Sequence, residues 1–255
     1  MTPPAKGSVR HFERVVWSPN GRRPPELDQW PYTIPAVAQI IAEGGLEIPA
    51  GITILVGENG SGKSTIIEAL AAIYPRRGFE NPFAMVTGVG GSEEDSPLQF
   101  HLKAKMAHMA SRAGFFLRAE SMHAFLASVD RQEKSFGYGE KKLQAQSHGE
   151  SFLDVLRHRF EDVGVYFLDE PEAALSFQSS LALLSLLDTM RQEGSQVIIS
   201  THSPILASLP GATILELGDH GIRGVQQAED LALIQHWRSF LDSPGRYLRH
   251  LLEDQ

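Results

Sequence analysis

The sequence predicts an α/β fold with a mostly parallel central sheet flanked by helices, plus small antiparallel β and helical subregions. Three observations carry this. Short apolar, β-branched runs recur at Ile52–Val56, Val163–Leu168 and Gln196–Ser200, as strands buried on both faces require. Helical periodicity lies between and after them, at Lys63–Ile73 and in the stretch ending near Glu193-Gly194. A repeated strand–helix order implies parallel strands joined by crossover helices.

Taken in order, Phe12–Trp17 reads as a strand followed by a turn at Ser18-Pro19-Asn20-Gly21. Arg22–Pro35 holds four prolines and reads as an extended surface segment. Ala36–Glu43 is a short helix stopped by Gly44-Gly45. Lys63–Ile73 is helical with Ile66, Ile67, Leu70 and Ile73 on one face, and residues 76–97 are polar, glycine-rich and loop-like. Phe115–Leu117 is a short strand, and Ser151–Phe160 a helix that turns Phe152, Val155, Leu156 and Phe160 inward. Thr213–Leu217 and Ile222–Gln226 form a hairpin around Gly218–Gly221, and helical spacing resumes from Ala228. The expectation is a single domain over residues 1–255, with a motif core at 52–204 and a C-terminal β-hairpin and helices at 212–255.

With 255 residues, 42% of them hydrophobic and 21% charged, the chain has enough apolar material for a buried core. Lys and Arg total 23 against 31 Asp and Glu, a net charge of −8, which argues against a general polyanion binder while leaving room for a local basic groove. Basic pairs stand at Arg22-Arg23, Arg76-Arg77, Lys141-Lys142 and Lys103/Lys105. There are no cysteines, so disulfides, cysteine nucleophiles and thiolate metal sites are excluded. The N-terminal residues lack the apolar core of a signal peptide, and no apolar run reaches the roughly 20 residues that cross a bilayer. A cytoplasmic protein without direct membrane insertion is expected.

The strongest local signal is Gly57-Glu58-Asn59-Gly60-Ser61-Gly62-Lys63-Ser64-Thr65, a G-x-x-x-x-G-K-[ST] phosphate loop between an apolar strand and a helix. Glycines let successive backbone N–H groups turn inward toward phosphate oxygens, and the following helix offers its positive end to the same charge. Lys63 is expected to neutralise the β- and γ-phosphates and Ser64 to ligate Mg²⁺. Downstream, Val165–Leu168 ends in Asp169-Glu170, whose side chains diverge by strand alternation and so take different tasks. Asp169 is expected to hold Mg²⁺ through a water, and Glu170 to orient or deprotonate the water that attacks the γ-phosphate. Gln196–Ser200 leads into Thr201-His202-Ser203-Pro204 at the same presumed sheet edge, where ligands of open α/β sheets gather. That context singles out His202 among ten histidines as a partner of the γ-phosphate or the lytic water.

Together these motifs resemble the ABC-type ATPases, and most of all their soluble branch, the compact AAA-family ATPases related to RecF and the SMC proteins. The resemblance is carried by GENGSGKST at 57–65, SHGES at 147–151, VYFLDEPEAAL at 165–175 and STHSP at 200–204, which stand in the family's order. It implies a P-loop NTPase fold that is ABC-ATPase-like, hydrolysis of ATP with Mg²⁺, and catalytic roles for Lys63, Glu170 and His202. It also implies a head-to-tail homodimer that sandwiches two ATPs, in which Ser147, Gly149 and the helix they open contact the partner's γ-phosphate. Loss of that phosphate would loosen the dimer, making the cycle a conformational switch.

The sequence departs from the family in several places. Ser176 stands where many members carry aspartate, and the glutamine that usually touches Mg²⁺ has only a candidate region, Arg118-Ala119-Glu120. Trp17, Trp30 and Tyr32 are the upstream aromatics available to stack adenine, though each also reads as a packing residue. No coiled-coil insertion or cysteine hook is present. Two other readings stay open. One is the nucleotide-binding subunit of a membrane transporter. The other is a non-catalytic, ATP-gated binding module acting on DNA, RNA or a toxin-like partner; the ATPase switch itself is expected in a DNA-related or defence process.

Overall fold

The computed structural model describes residues 9–19, 25–75, 96–118, 153–154, 156–157 and 162–252. The strands are β1 (Phe12–Trp17), β2 (Gly45–Glu47), β3 (Ile52–Gly57), β4 (Leu102–Met106), β5 (Gly114–Arg118), β6 (Val165–Asp169), β7 (Gln196–Thr201), β8 (Thr213–Gly218) and β9 (Gly221–Val225). The helices are α1 (Pro35–Ala42), α2 (Lys63–Ile73), α3 (Phe177–Gln192), α4 (Pro204–Ala207), α5 (Ala232–Asp242) and α6 (Pro244–Leu252).

The central sheet runs β5-β6-β7-β3-β8-β9, parallel except for the final β8–β9 hairpin. The pleat explains its two cores. Ile52, Ile54 and Val56 of β3 face one side with Tyr166, Leu168, Val197 and Ile199, and there meet Leu183, Leu187 and Met190 of α3. Leu55, Phe167 and Ile198 face the other side, packed with α1, α2 and β1. Strands buried on both faces need continuous apolar runs, which is why β3, β6 and β7 were readable in sequence.

A second, antiparallel sheet of order β2-β1-β4 lies over the α2 side. It is tied to the central sheet by Gln196, which is fully buried. Its Oε1 accepts the N–H groups of His11 (3.1 Å) and Phe12 (2.8 Å), while Nε2 donates to Phe12 O (2.9 Å) and Pro49 O (2.7 Å). All the hydrogen-bonding capacity of this amide that matters is used, as burial demands.

Some expectations hold and others need correction. Residues 27–33 form turns, not an extended surface segment, and Tyr32 is buried. Trp17 is 6.1 Å from Tyr32 and 5.7 Å from His101 in an aromatic cluster, so it and Tyr32 are packing residues. Trp30 is 58% exposed and packs into no core. Lys103 and Lys105 take the exposed, outward positions of β4, as solvated surface lysines do, and Lys105 pairs with Glu13. Residues 76–95, the basic pairs at 22–23, 76–77 and 141–142, and most of the 151–160 helix lie outside the described residues; within it Leu153 and Leu156 are buried. Among the described residues no helix is long and apolar enough to cross a membrane.

Candidate functional site

Register places the predicted residues at one edge. Across the carboxyl ends of the strands, Arg118 pairs with Asp169, Asp169 with Ser200, Val56 with Thr201, and Gly57 with Leu217. Because β7 lies between β3 and β6, the His202 turn falls between the phosphate loop and the acidic strand end.

Gly57–Thr65 spans the end of β3, the loop and the first turn of α2. Two of its glycines are sterically required. A Cβ on Gly57 would stand 2.4 Å from Leu217 O and 2.6 Å from Ser61 Oγ. Gly62, the residue before α2, has φ +96° and its missing Cβ would meet Ile34 Cγ2 at 2.8 Å. Glu58, Asn59 and Gly60 are exposed at the loop tip, whereas Ser64 and Thr65 are half-buried on α2.

Lys63 is 4% exposed, and its Nζ donates to Glu58 O at 3.0 Å. Burial draws its pKa below the usual lysine value, while Glu170, Asp169 and Glu172 pull it back up. Ser61 Oγ is buried without a partner. A desolvated ammonium and an orphaned hydroxyl beside a glycine cradle form a site that fits an anion with many acceptor oxygens, as a polyphosphate is.

The opposing wall is acidic. Asp169 is 3% exposed; its Oδ1 accepts from Ser200 Oγ and its Oδ2 from Arg118 Nε at 3.1 Å. Glu170 takes a left-handed backbone (φ +48°), stabilised by its N–H donating to Ser200 O at 3.1 Å. Such a conformation in a residue with a Cβ is costly and clusters at functional sites. It turns Glu170 toward His202, whose Nε2 lies 2.9 Å from Glu170 Oε1, although the ring N–H does not point straight along that line. Among the described residues no three His, Asp or Glu side chains converge on one metal position. The residues present fit Mg²⁺ held by the Ser64 hydroxyl and Asp169 together with phosphate oxygens, because carboxylate and hydroxyl oxygens suit a hard cation that keeps several waters.

Two residues here were not assigned roles by sequence. Glu172 Oε1 accepts both Thr201 Oγ (2.6 Å) and the His202 N–H (2.6 Å), clamping the turn that carries His202. Its Oε2 is buried without a partner. Only its position, an acid two residues past Glu170, marked it. Arg118 lay in a region flagged for metal contact, but its ion pairs to Glu68 and Asp169 depend on α2 and β6. Ser176 caps α3 by accepting the Ser179 N–H at 3.2 Å. Ser147 and Gly149 lie outside the described residues.

Comparison with known proteins finds ATP-binding relatives. A family model described as "AAA domain" matches residues 40–74, and one described as "AAA domain, putative AbiEii toxin, Type IV TA system" matches residues 135–208. The chain is 30% identical over 181 residues to the cytochrome c biogenesis ATP-binding export protein CcmA of Rhodospirillum rubrum, covering 68% of this chain and 76% of that protein. It is 25% identical over 170 residues to the ribose import ATP-binding protein RbsA 2 of Escherichia coli O157:H7, covering 60% of this chain and 34% of the relative. The chain thus spans about a third of the length of several curated relatives it matches. Among solved structures, the SMC head domain from Thermotoga maritima aligns with TM-score 0.46 and 16% identity over 85% of this chain and 99% of that one.

Proposed function

Since the chain belongs to the ABC-type P-loop ATPases, we propose that Gly57–Thr65 holds the phosphates of ATP while Glu170 and His202 act on the attacking water. One observation carries the reading: the desolvated Lys63 ammonium and the unpartnered Ser61 hydroxyl sit across one sheet edge from the Glu170–His202 pair. Lys63 gives up its contact with Glu58 O to neutralise transferred charge. Glu170 orients the water and takes its proton, and His202, held by Glu172, steadies the Glu170 carboxylate. When bound, Mg²⁺ supplies charge neutralisation on the β- and γ-phosphates, with Ser64 and Asp169 as the residues that would hold it.

The same reading makes the protein a cytoplasmic switch. Two copies close head to tail over two ATPs, each lending Ser147 and Gly149 to the other's γ-phosphate, and hydrolysis releases the pair to act on an effector protein, with nucleic acid a further candidate partner. The "putative AbiEii toxin, Type IV TA system" wording of the model matching 135–208 supports a toxin-like partner or setting. A transporter-subunit reading is favoured by the import and export names of the curated relatives, and stable co-purification with a membrane-embedded partner would select it. The sandwich is tested by size-exclusion of Glu170→Gln with ATP and Mg²⁺. A nucleotide-dependent dimer is expected, and a monomer at saturating ATP would overturn it.

A further inference from the structure

Asp169 is paired on both oxygens by protein donors. Ser200 takes Oδ1, and the Arg118 guanidinium takes Oδ2 at 3.1 Å, with the carboxylate side chain only 4% exposed. Arg118 is the last residue of β5, in register with Asp169, and its terminal Nη2 pairs with Glu68 on α2. One guanidinium therefore joins the helix that follows the phosphate loop to the acidic strand end. Its side chain is 24% exposed, so the triad is shielded from full solvent screening.

A guanidinium on a buried carboxylate does electrostatically what a cation does there: it offsets the cost of burying the charge. It also occupies an oxygen and repels a second cation. Glu68 gives it somewhere to go, because a guanidinium that leaves Asp169 keeps an acidic acceptor already in contact. We propose that Arg118 is a positioning residue that stands in for the divalent cation at Asp169, so that metal loading requires it to yield Oδ2 and rest on Glu68 alone. The proposal rests on the reading of Asp169 as the metal carboxylate.

The test compares wild type, Arg118→Gln and the double variant Arg118→Gln/Asp169→Asn, with two readouts: melting temperature against Mg²⁺ without nucleotide, and ATP binding against Mg²⁺ by calorimetry. Replacing the charge-assisted contact lowers the Mg²⁺ concentration for half-maximal ATP binding about tenfold. Mg²⁺ alone raises the melting temperature of Arg118→Gln but not of wild type, and Asp169→Asn in the same chain removes both effects. If Arg118→Gln does not fold, Arg118→Lys serves; a compact ammonium cannot bridge both acids as the fork does, so the midpoint still falls, by less. An unchanged midpoint in the folded variant, with wild type binding Mg²⁺–ATP normally, overturns the Arg118 proposal alone. Absence of ATP binding in wild type at any Mg²⁺ concentration overturns the nucleotide reading beneath it.

Discussion

The two ends of β7 carry buried polar groups of opposite character. At its start, Gln196 is fully buried and bonded at both its oxygen and its nitrogen, by His11, Phe12 and Pro49. Past its far end, Glu172 Oε2 lacks a hydrogen-bond partner, as does Ser61 Oγ across the edge, His202 Nε2 meets Glu170 Oε1 at 2.9 Å without alignment, and Glu170 sits at a left-handed φ. Orphaned buried groups stand elsewhere too, at Arg14 Nε, Tyr32 OH, Thr53 Oγ1 and His101 Nδ1, but past the far end of β7 they gather with a left-handed glutamate at the edge where the phosphate loop begins. One end of the strand joins two sheets; the other gathers the polar groups that the proposed nucleotide site would use.

If this contrast is real, substitutions at the two ends must fail in different ways. The largest effect belongs to Lys63→Ala, which should abolish detectable ATP binding. It should leave the melting temperature unchanged or raised, since burial makes the charged amine a net burden on the apo fold. A melting temperature that drops sharply would make Lys63 structural and blur the contrast. Next is Gln196→Leu, which strands the His11 and Phe12 N–H groups and should cost about 3 kcal/mol of stability by denaturant unfolding. ATP affinity of its folded fraction should stay near wild type. The smallest effect sharpens the role of Glu172. Glu172→Ala should lower turnover about tenfold with little change in KM, because the His202 turn loses its acceptor, whereas Glu172→Gln, which keeps an acceptor oxygen, should recover most of it. Equal loss in both variants would mean that the charge of Glu172, not its clamp, matters.

What sequence could reveal tracks the range of the interactions involved. β1 and α2 were delimited to the residue because their periodicity and flanking breakers are local. The glycine cradle and Lys63 were legible for the same reason, since the phosphate loop is contiguous in sequence. β4 was missed although Leu102, Ala104 and Met106 alternate with Lys103 and Lys105; five residues of alternation are a weak signal alone, and pairing with β1 defines the strand. The prolines of the segment before α1 suggested extension, yet Tyr32 is folded back against Trp17 and His101. Gln196, Glu172 and Arg118 owe their roles to partners 29 to 185 positions away, and no local pattern encodes those.

Hydrolysis by the acidic edge beyond β6 and β7, acting on a nucleotide held by the Lys63 loop, is the proposal on which the other roles depend. It is tested most directly by measuring phosphate release from ATP and Mg²⁺ alongside ATP binding, in wild type and in Glu170→Gln. Removing the base should cut release by a factor of about 10²–10⁴ while binding is retained, because the phosphate cradle is untouched. Equal rates of phosphate release in the two chains would contradict the account.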